Sequence, residues 1–135
     1  MSQQITLLSD LTNPDRPTRP QPGATASLQR VVDATMTPAH LPGPGVLSTP
    51  SLISLLELAC HEAIRATLPV GQTSVGFEVH VFHRAPAHFG QAVVATGTLL
   101  ETNGRKLTFA VECRCGETLI GEGTHRRAVI TLPAA

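Results

Sequence analysis

Two hydrophobic periods divide the chain. The segment STPSLISLLELACHEAI, residues 48–64, is apolar on almost every face of a helix, and Thr49 and Pro50 suit its N-cap and first helical position. This helix is expected to fade near Leu68-Pro69, because a residue that precedes proline avoids the helical region. Beyond that point apolar and polar residues alternate, which is the period of a β-strand. The pattern predicts one long helix followed by strands.

Five strands are predicted in all. One precedes the helix at Thr25–Ala34, and a loop rich in proline and glycine, Pro38–Gly45, leads on to the helix. Four strands follow the helix, in the segments SVGFEVHVFHR (74–84), QAVVATGTLLET (91–102), RKLTFAVECRC (105–115) and TLIGEGTHRRAVITL (118–132). Two-residue turns at Asn103-Gly104 and Gly116-Glu117 are expected to close the last three strands into hairpins.

Alternation assigns the side chains of two strands to faces. In SVGFEVHVFHR, the first face is predicted to carry Val75, Phe77, Val79, Val81 and His83. The opposite face is predicted to carry Ser74, Gly76, Glu78, His80, Phe82 and Arg84. In RKLTFAVECRC, the apolar face is predicted to carry Leu107, Phe109, Val111, Cys113 and Cys115.

The order of these elements indicates an α+β fold in which an antiparallel sheet covers a long central helix. A helix that is apolar all round must be covered on more than one side, and a second subunit is the simplest cover for the side that the sheet leaves open. We therefore expect a homodimer, and whether dimers pair into tetramers stays open. The domain is expected to span residues 24–135, after a proline-rich, extended or flexible arm at residues 1–23 with a short ordered piece at Ile5–Leu11.

Charge and composition argue against several function classes. The 135 residues include ten basic and ten acidic side chains, and no basic run is longer than a pair, which argues against nucleic-acid binding by clustered positive charge. No apolar stretch approaches the roughly 18 residues of a membrane span, and the first residues lack the pattern of a secretory signal. Three cysteines, an odd number, fit a reducing compartment. We expect a cytoplasmic protein without a membrane or nucleic-acid partner.

The candidate chemistry begins with Glu57, an acid in the middle of the apolar helix, where an unpaired charge costs several kcal/mol. It is either a structural acid tied to an amide or an arginine, or a functional one. His83, near the end of its strand, is either a core histidine or the partner of Glu57 in an acid/base unit. Thr49 is either only a helix cap or, with the free amides of a helix N-terminus, a group that suits an anionic oxygen. Because Thr49 and Glu57 lie about 12 Å apart along the helix axis, they can share a site only if the helix start is irregular or if one of them comes from another subunit, and the second case predicts a site that crosses a dimer interface.

Motifs for metals and cofactors are missing from the sequence. Cys113 and Cys115 alternate with apolar residues and lack the four-ligand pattern of a zinc site, and Cys60 lies in the apolar helix, so all three are expected in the core. No phosphate-binding glycine loop and no G-x-S-x-G turn occurs. We therefore expect neither a metal nor a cofactor. No role is assigned to the remaining histidines, His40, His61, His80, His88 and His125.

Three blocks of the chain resemble a known family. VLSTPSLISLLELA, SVGFEVHVFHRA and GEGTHRRAVI occur in the order and spacing of the fluoroacetyl-CoA thioesterase-like branch of the hotdog-fold thioesterases, and the similarity covers about residues 22–132. The resemblance implies a dimer in which antiparallel sheets wrap long helices, with two active sites at the subunit interface. It also implies hydrolysis of acyl-CoA thioesters without a metal.

The resemblance also implies roles for particular residues. Thr49, Glu57 and His83 match the family's catalytic threonine, glutamate and histidine. Gly76 matches a glycine close to the acyl group, and Arg127 matches the arginine of a GTHxRAVI-like segment, so both are expected to bind substrate. Glu57 either attacks the thioester carbonyl directly or activates water together with His83. In both mechanisms Thr49 and nearby amides are expected to position the acyl group or stabilise the oxyanion.

The chain departs from the family just before the helix. Fluoroacetyl-CoA-specific members carry a lid segment with a phenylalanine there, whereas this chain has LPGPGV, residues 41–46, with no aromatic. We therefore expect a short- or medium-chain acyl-CoA as substrate rather than a fluorinated two-carbon one.

Two other functions compete with hydrolysis. A hotdog hydratase relies on an Asp/His pair, but the aspartates of this chain, at positions 10, 15 and 33, all precede the helix. A non-catalytic acyl-CoA-binding or ligand-sensing protein would keep the pocket and lose the catalytic set. The joint presence of Thr49, Glu57 and His83 favours the enzyme.

Overall fold

The computed structural model of the protein describes residues 19–134. Its elements are β1 (Thr25–Val31), a 3-10 helix (Ala34–Met36), α1 (Thr49–Ile64), a second 3-10 helix (Arg65–Thr67), β2 (Gln72–His83), β3 (Ala92–Asn103), β4 (Lys106–Cys115) and β5 (Thr118–Thr131). The predicted order of one strand, a long helix and four further strands is confirmed. The predicted arm at residues 1–23 lies outside the described residues except for 19–23, as does the piece at Ile5–Leu11.

The five strands form one antiparallel sheet in the order β1-β3-β4-β5-β2. Helix α1 packs mainly on β3 and β1, and it buries Leu52, Leu55, Leu56, Ala59, Cys60 and Ile64. The predicted apolar face of β4 joins the same core through Leu107, Phe109, Val111 and Cys113. One sheet therefore covers one long helix, and the predicted α+β hotdog fold is confirmed. Within the described residues, no helix has both the length and the apolar character needed to cross a membrane.

The N-terminus of α1 differs by one residue from the prediction that Thr49 is the N-cap. Ser48 is the N-cap, because its backbone is extended and its Oγ accepts a hydrogen bond from the N–H of Ser51 at 3.2 Å. Thr49 is the first helical residue and Pro50 the second. The consequence is that the hydroxyl of Thr49 is not needed as a cap and is free to bind another group.

Strand β2 contains a β-bulge that the alternation did not predict. Gly76 pairs with Arg127 of β5 and Glu78 pairs with Arg126, so Phe77 is an extra residue between two consecutive pairs. Val75 and Phe77 are 43% and 46% exposed, whereas Ser74 is only 5% exposed. The prediction of one continuous apolar face is therefore wrong for the first half of β2. Ser74 and Gly76 face the helix before the bulge, and the predicted face of Val79, Val81 and His83 holds only after it.

Smaller differences occur where elements end. The β3–β4 turn consists of Gly104 and Arg105, because Asn103 still pairs with Lys106; the predicted turn was one residue early. Gly104 has a φ of 62°, the left-handed conformation that favours glycine in such turns. The predicted turn at Gly116-Glu117 is confirmed.

The first strand is also shorter than predicted and ends at Val31. Asp33 then caps the first 3-10 helix by accepting a hydrogen bond from the N–H of Thr35 at 2.9 Å. A side chain that binds its own neighbouring backbone competes with strand pairing, which explains the early end.

Candidate active site

Thr49 and His83 form a pair at one end of the helix. Thr49 is presented by the first turn of α1, and His83 is the last residue of β2. The Oγ1 atom of Thr49 lies 2.8 Å from Nδ1 of His83, a hydrogen bond between two side chains 34 residues apart in sequence. The other ring nitrogen, Nε2, is buried and has no hydrogen-bond partner among the described residues. Nε2 is thus a buried polar atom without a partner in the described part of the protomer, which is costly for the folded state.

Glu57 lies two turns further along α1, at the edge of a cavity of about 540 Å³. Its side chain is 36% exposed, so the expectation that this acid is sunk among leucines is wrong for the protomer. Leu55, Leu56 and Ala59 point into the core, and Glu57 points to the cavity side. Because the carboxylate reaches open space, its charge does not carry the full cost of burial.

Gly76 explains how the carboxylate fits against β2. A Cβ atom added at Gly76 would lie 2.6 Å from Oε2 of Glu57 and 2.7 Å from Cε1 of His125. These distances are too short for any side chain, so the strand can approach Glu57 this closely only with glycine at this position. Gly76 therefore belongs to the surroundings of Glu57.

Arg127 of β5 is buried beside the same cavity and is held by three hydrogen bonds. Its Nε donates to Oγ of Ser74 at 2.8 Å, and its Nη2 donates to the carbonyl oxygen of Ser74 at 2.9 Å. Its Nη1 lies 3.1 Å from Nε2 of His125 and donates to it. Burial lowers the pKa of Arg127 from its ordinary value, yet a guanidinium stays charged. Two of its five N–H groups are not used in these hydrogen bonds. Arg127 is therefore a fixed cation with two unused hydrogen-bond donors.

His125 is a neutral histidine with a fixed tautomer. Its Nδ1 lies 2.9 Å from the carbonyl oxygen of Glu78, which can only accept, so Nδ1 carries the proton. Nε2 is then the acceptor for Arg127, and it lies 3.7 Å from Oε2 of Glu57. Burial, supported by the charge of Arg127, lowers the pKa of His125. A neutral His125 does not form an ion pair with Glu57, although the two side chains lie close together.

A second pair of side chains joins this network at the helix. Nδ1 of His61 lies 3.3 Å from Oγ of Ser74, and His61 lines the same cavity as Glu57. Burial and the nearby Arg127 lower the pKa of His61. Cys60 and Cys113 are not part of this hydrogen-bond network. Burial raises the pKa of the Cys60 thiol to about 12 and that of the Cys113 thiol to about 11, so both stay protonated in the core.

The site residues predicted from the sequence form two groups in one protomer. Thr49 and His83 are in contact. Glu57, Gly76 and Arg127 surround one cavity. Among residues 19–134, no hydrogen bond or ion pair joins Glu57 to His83 or Thr49.

Three residues of this region were missed by the sequence reasoning: Ser74, His61 and His125. One signal was available for each histidine, since His61 follows Glu57 by four residues on the helix and His125 shares a strand face with Arg127. The role of Ser74 depends on the bulge in β2, and the one signal for that bulge was Gly76, because a glycine inside a strand often marks a bulge.

Comparison with known proteins assigns the chain to a family. The family described as "FlK: Fluoroacetyl-CoA-specific thioesterase" matches residues 31–132. The chain belongs to this family. Within it, the chain is 38% identical over 89 residues to the fluoroacetyl-CoA thioesterase of Streptantibioticus cattleyicolor. That match covers 66% of the chain and 64% of the relative, so the chain spans less than two thirds of the curated relative's length.

Solved structures of the fluoroacetyl-CoA-specific family have the same fold. The chain resembles the fluoroacetyl-CoA thioesterase FlK with a TM-score of 0.77 and 33% identity, over 83% of this chain and 89% of the other. A mutant of that enzyme in complex with fluoroacetate and CoA gives the same TM-score and identity, over 83% and 96%. A thioesterase superfamily member from Thermus thermophilus is 26% identical, with a TM-score of 0.76 over 82% of this chain and 84% of the other. The resemblance found in the sequence motifs is therefore confirmed.

Proposed function

We propose that this protein hydrolyses acyl-CoA thioesters to a free acid and CoA, with Thr49, Glu57 and His83 as catalytic residues. Membership of the fluoroacetyl-CoA-specific thioesterase family supports the reaction class. The observation that carries the proposal is the hydrogen bond between Oγ1 of Thr49 and Nδ1 of His83. It holds an imidazole whose Nε2 has no partner among residues 19–134, and such a ring can exchange a proton with a bound substrate.

A homodimer that joins through β2 would unite the two groups of site residues. β2 is the longer of the two edge strands of the sheet, and a long edge strand with unpaired backbone groups is a surface for pairing with another strand. Apolar side chains next to this edge support the interface: Val75, Phe77 and Leu58 are each about two-fifths exposed in the protomer, at 43%, 46% and 39%.

The twofold symmetry of such a dimer determines which residues meet. A C2 interface pairs a strand antiparallel with its own copy, and Val79 lies midway between Val75 and His83 along β2. Pairing centred on Val79 would bring His83 beside the partner's Val75, next to the cavity that holds Glu57 of the partner subunit. The active site then takes Thr49 and His83 from one subunit and the carboxylate from the other.

Two routes of hydrolysis suit these groups. In the first, the Glu57 carboxylate attacks the thioester carbonyl carbon, the C–S bond breaks, and water then hydrolyses the resulting anhydride. In the second, Glu57 takes a proton from water, the hydroxide formed attacks the carbonyl carbon, and the C–S bond breaks as the tetrahedral intermediate collapses to the acid. In both routes His83 donates a proton to the leaving thiolate of CoA, and the hydroxyl of Thr49 fixes the orientation of the imidazole ring.

Gly76 and Arg127 are the proposed substrate-binding residues. The missing side chain at Gly76 leaves space beside Oε2 of Glu57 for the acyl group. Arg127 has two N–H groups that its protein hydrogen bonds do not use, and a fixed cation of this kind stabilises negative charge that develops on the carbonyl oxygen.

The proposed substrate is a short- or medium-chain acyl-CoA. The loop before α1, residues 41–46, contains no aromatic residue that could form an apolar gate over the acyl group. We expect fluoroacetyl-CoA to have no advantage over other acyl-CoAs of similar size.

A thiol-release assay over a panel of acyl-CoAs tests the proposal. Glu57→Gln removes the charge while keeping the shape, and turnover is expected to fall by about a thousandfold or more. Glu62→Gln is the matched control, because Glu62 lies on the same helix and pairs only with Arg65 at 2.9 Å. Full activity in the Glu57→Gln variant would remove Glu57 from the mechanism. If several acyl-CoAs bind and none is hydrolysed, the protein is a binding or sensing module instead.

Single-turnover hydrolysis in oxygen-labelled water separates the two routes. Label in the Glu57 carboxylate after one turnover supports the anhydride route, because water has then attacked the Glu57 carbonyl carbon of the anhydride. Label found only in the released acid counts against attack at that carbon, and it is the result expected from direct activation of water or from attack on the acyl carbonyl of the anhydride.

A further inference from the structure

The cavity beside Glu57 is lined mainly by polar groups. Besides the carboxylate, its lining includes the side chains of Ser54, His61, Thr73, Ser74 and Arg127. Among the described residues, the larger apolar side chains that line it are Leu58 and Val75, and both belong to the edge that the proposed dimer covers. The space next to the reacting carbonyl is therefore unlike a pocket built for a plain hydrocarbon chain, which would be lined by aliphatic side chains.

His61 presents a hydrogen-bond donor to this cavity. Oγ of Ser74 accepts from Nε of Arg127, so its own proton needs an acceptor, and Nδ1 of His61 at 3.3 Å is the acceptor within reach. If Nδ1 of His61 accepts, its proton is on Nε2. No hydrogen bond uses this Nε2 among residues 19–134, and the atom is not buried. The chain from Arg127 through Ser74 thus fixes the tautomer of His61.

We propose that His61 is a specificity-determining residue that selects acyl-CoAs whose acyl group carries a hydrogen-bond-accepting oxygen a few carbons from the thioester. The inference rests on the proposed function and names the substrate class of the same site. His61 follows Glu57 by four residues, so their Cβ atoms lie about 5–6 Å apart on one helix face. About three or four carbon–carbon bonds of roughly 1.5 Å span this distance. Because both residues line one cavity, we expect an oxygen on the third or fourth carbon of the acyl chain to come within reach of the His61 side chain when the carbonyl is at Glu57.

The preference follows from what each kind of acyl chain does to the donor. A hydroxyl or carboxylate oxygen accepts the proton of Nε2 and replaces the water that the donor loses. A plain hydrocarbon chain displaces that water and offers no acceptor, so the donor stays unpaired. Sites that place donors for a substrate group discriminate against analogues that lack the group.

Three acyl-CoAs of equal chain length test the inference: butyryl-CoA, 3-hydroxybutyryl-CoA and succinyl-CoA. We expect the kcat/KM of at least one oxygen-bearing substrate to exceed that of butyryl-CoA by about tenfold or more. Comparison of 3-hydroxybutyryl-CoA with succinyl-CoA shows whether the site prefers a neutral hydrogen-bond acceptor or an anionic one. His61→Leu is expected to reduce this ratio to within about threefold of one, whereas His61→Gln, which keeps an amide donor, retains most of it. His88→Leu is the matched control, because His88 is an exposed histidine in the β2–β3 connection.

The outcomes distinguish this inference from the proposed function. Hydrolysis of butyryl-CoA at an equal or higher kcat/KM, or a ratio unchanged in His61→Leu, overturns the role of His61 and leaves the thioesterase intact. Failure to hydrolyse any thioester overturns the proposed function. In that case the Kd values of the three acyl-CoAs, measured by calorimetry for the wild type and His61→Leu, decide the selectivity in the same way.

Discussion

Arg127 and His125 share one face of β5 and are joined by a hydrogen bond of 3.1 Å from Nη1 to Nε2. The bond exists only while His125 is neutral, because a protonated imidazole would offer no acceptor and would set a second cation against the guanidinium. The carbonyl oxygen of Glu78 enforces this by accepting the proton of Nδ1. The orientation of the cation beside the cavity therefore depends on the protonation state of a histidine that does not itself line the cavity.

Replacement of His125 tests this dependence. His125→Leu leaves Nη1 of the buried Arg127 without an acceptor and is expected to destabilise the fold by about 2 kcal/mol, measured as the free energy of unfolding in urea. His125→Gln keeps an acceptor and a donor and is expected to lose about half as much. Equal losses in the two variants would mean that ring packing, rather than the hydrogen bonds, makes His125 important.

The pH dependence of stability follows from the same group. The pKa of His125 is lowered from its ordinary value of 6.5, so near that pH the unfolded chain binds a proton that the folded chain does not. The contribution of His125 to the free energy of unfolding is then fully present above the pKa that this group has in the unfolded chain. It decreases as the pH falls through that pKa. The lowered pKa of His61 acts in the same direction. We expect urea midpoints to fall between about pH 7 and about pH 5.5, and to fall less in His125→Gln. An identical pH profile in that variant contradicts the assignment.

Because Thr49 binds His83 and Ser48 caps the helix, we expect substitutions of Thr49 to lower activity and a substitution of Ser48 to lower stability. Thr49→Val keeps the shape of the side chain, removes the hydroxyl, and is expected to lower kcat/KM by about a hundredfold with little loss of stability. Thr49→Ser is expected to retain most of the activity. Ser48→Ala is the contrasting variant, since it removes the helix cap at a cost of about 1 kcal/mol and leaves the Thr49–His83 bond in place. Equal activity losses in Thr49→Val and Ser48→Ala would argue for a purely structural role.

The close approach of β2 to Glu57 predicts that Gly76→Ala damages the site. The new Cβ would meet Oε2 of Glu57 at 2.6 Å and move the carboxylate, and a displacement of this kind is expected to cost about a hundredfold in kcat/KM. Gly71→Ala is the control, because an alanine there is strained by a φ of 86° while its Cβ would meet nothing within 4 Å. That variant is expected to lose about 1–2 kcal/mol of stability and to keep Glu57 in position. Normal turnover in Gly76→Ala would show that the reaction does not need this geometry.

The proposed dimer predicts that an added charge at the edge strand separates the subunits. Val75→Lys adds a solvated cation to the exposed apolar side chains beside β2, and sedimentation is expected to show a monomer. Activity should fall with the dimer, because the proposed site combines residues of two subunits. Val94→Lys is the control, since Val94 is 37% exposed on β3, a strand with a neighbour on each side. A Val75→Lys dimer with full activity would exclude this interface.

Periodicity predicted the elements of the fold and much less of the site. The change of period predicts one long helix and five strands. These predictions hold because each element is longer than the error in the predicted positions of its ends. The N-cap was misassigned by one residue because Ser48 and Thr49 are both good caps, and only the backbone conformation selects Ser48. The bulge at Phe77 is signalled only by the neighbouring Gly76, which does not show where the register shifts, so the face that carries Ser74 and Gly76 was assigned to the wrong side.

The hydrogen bonds around Arg127 could not be predicted from the sequence, for a different reason. Its partner Ser74 lies 53 residues away, and the two meet only because β2 and β5 pair in the observed register. Alternation shows that His125 and Arg127 share a face, yet it does not show what lies opposite them. The family resemblance predicted Arg127 as a site residue, and only the structure identified the residues that bind it.

The extra residue in β2 makes the length of this strand part of the chemistry. Because Phe77 shifts the alternation by one position, Ser74 before it and His83 after it can both face the helix. Loss of that single residue would return the strand to strict alternation and turn every side chain on one side of it outward, His83 or Ser74 among them. A one-residue insertion or deletion in a relative could therefore remove an active-site group while every functional side chain is still present in its sequence.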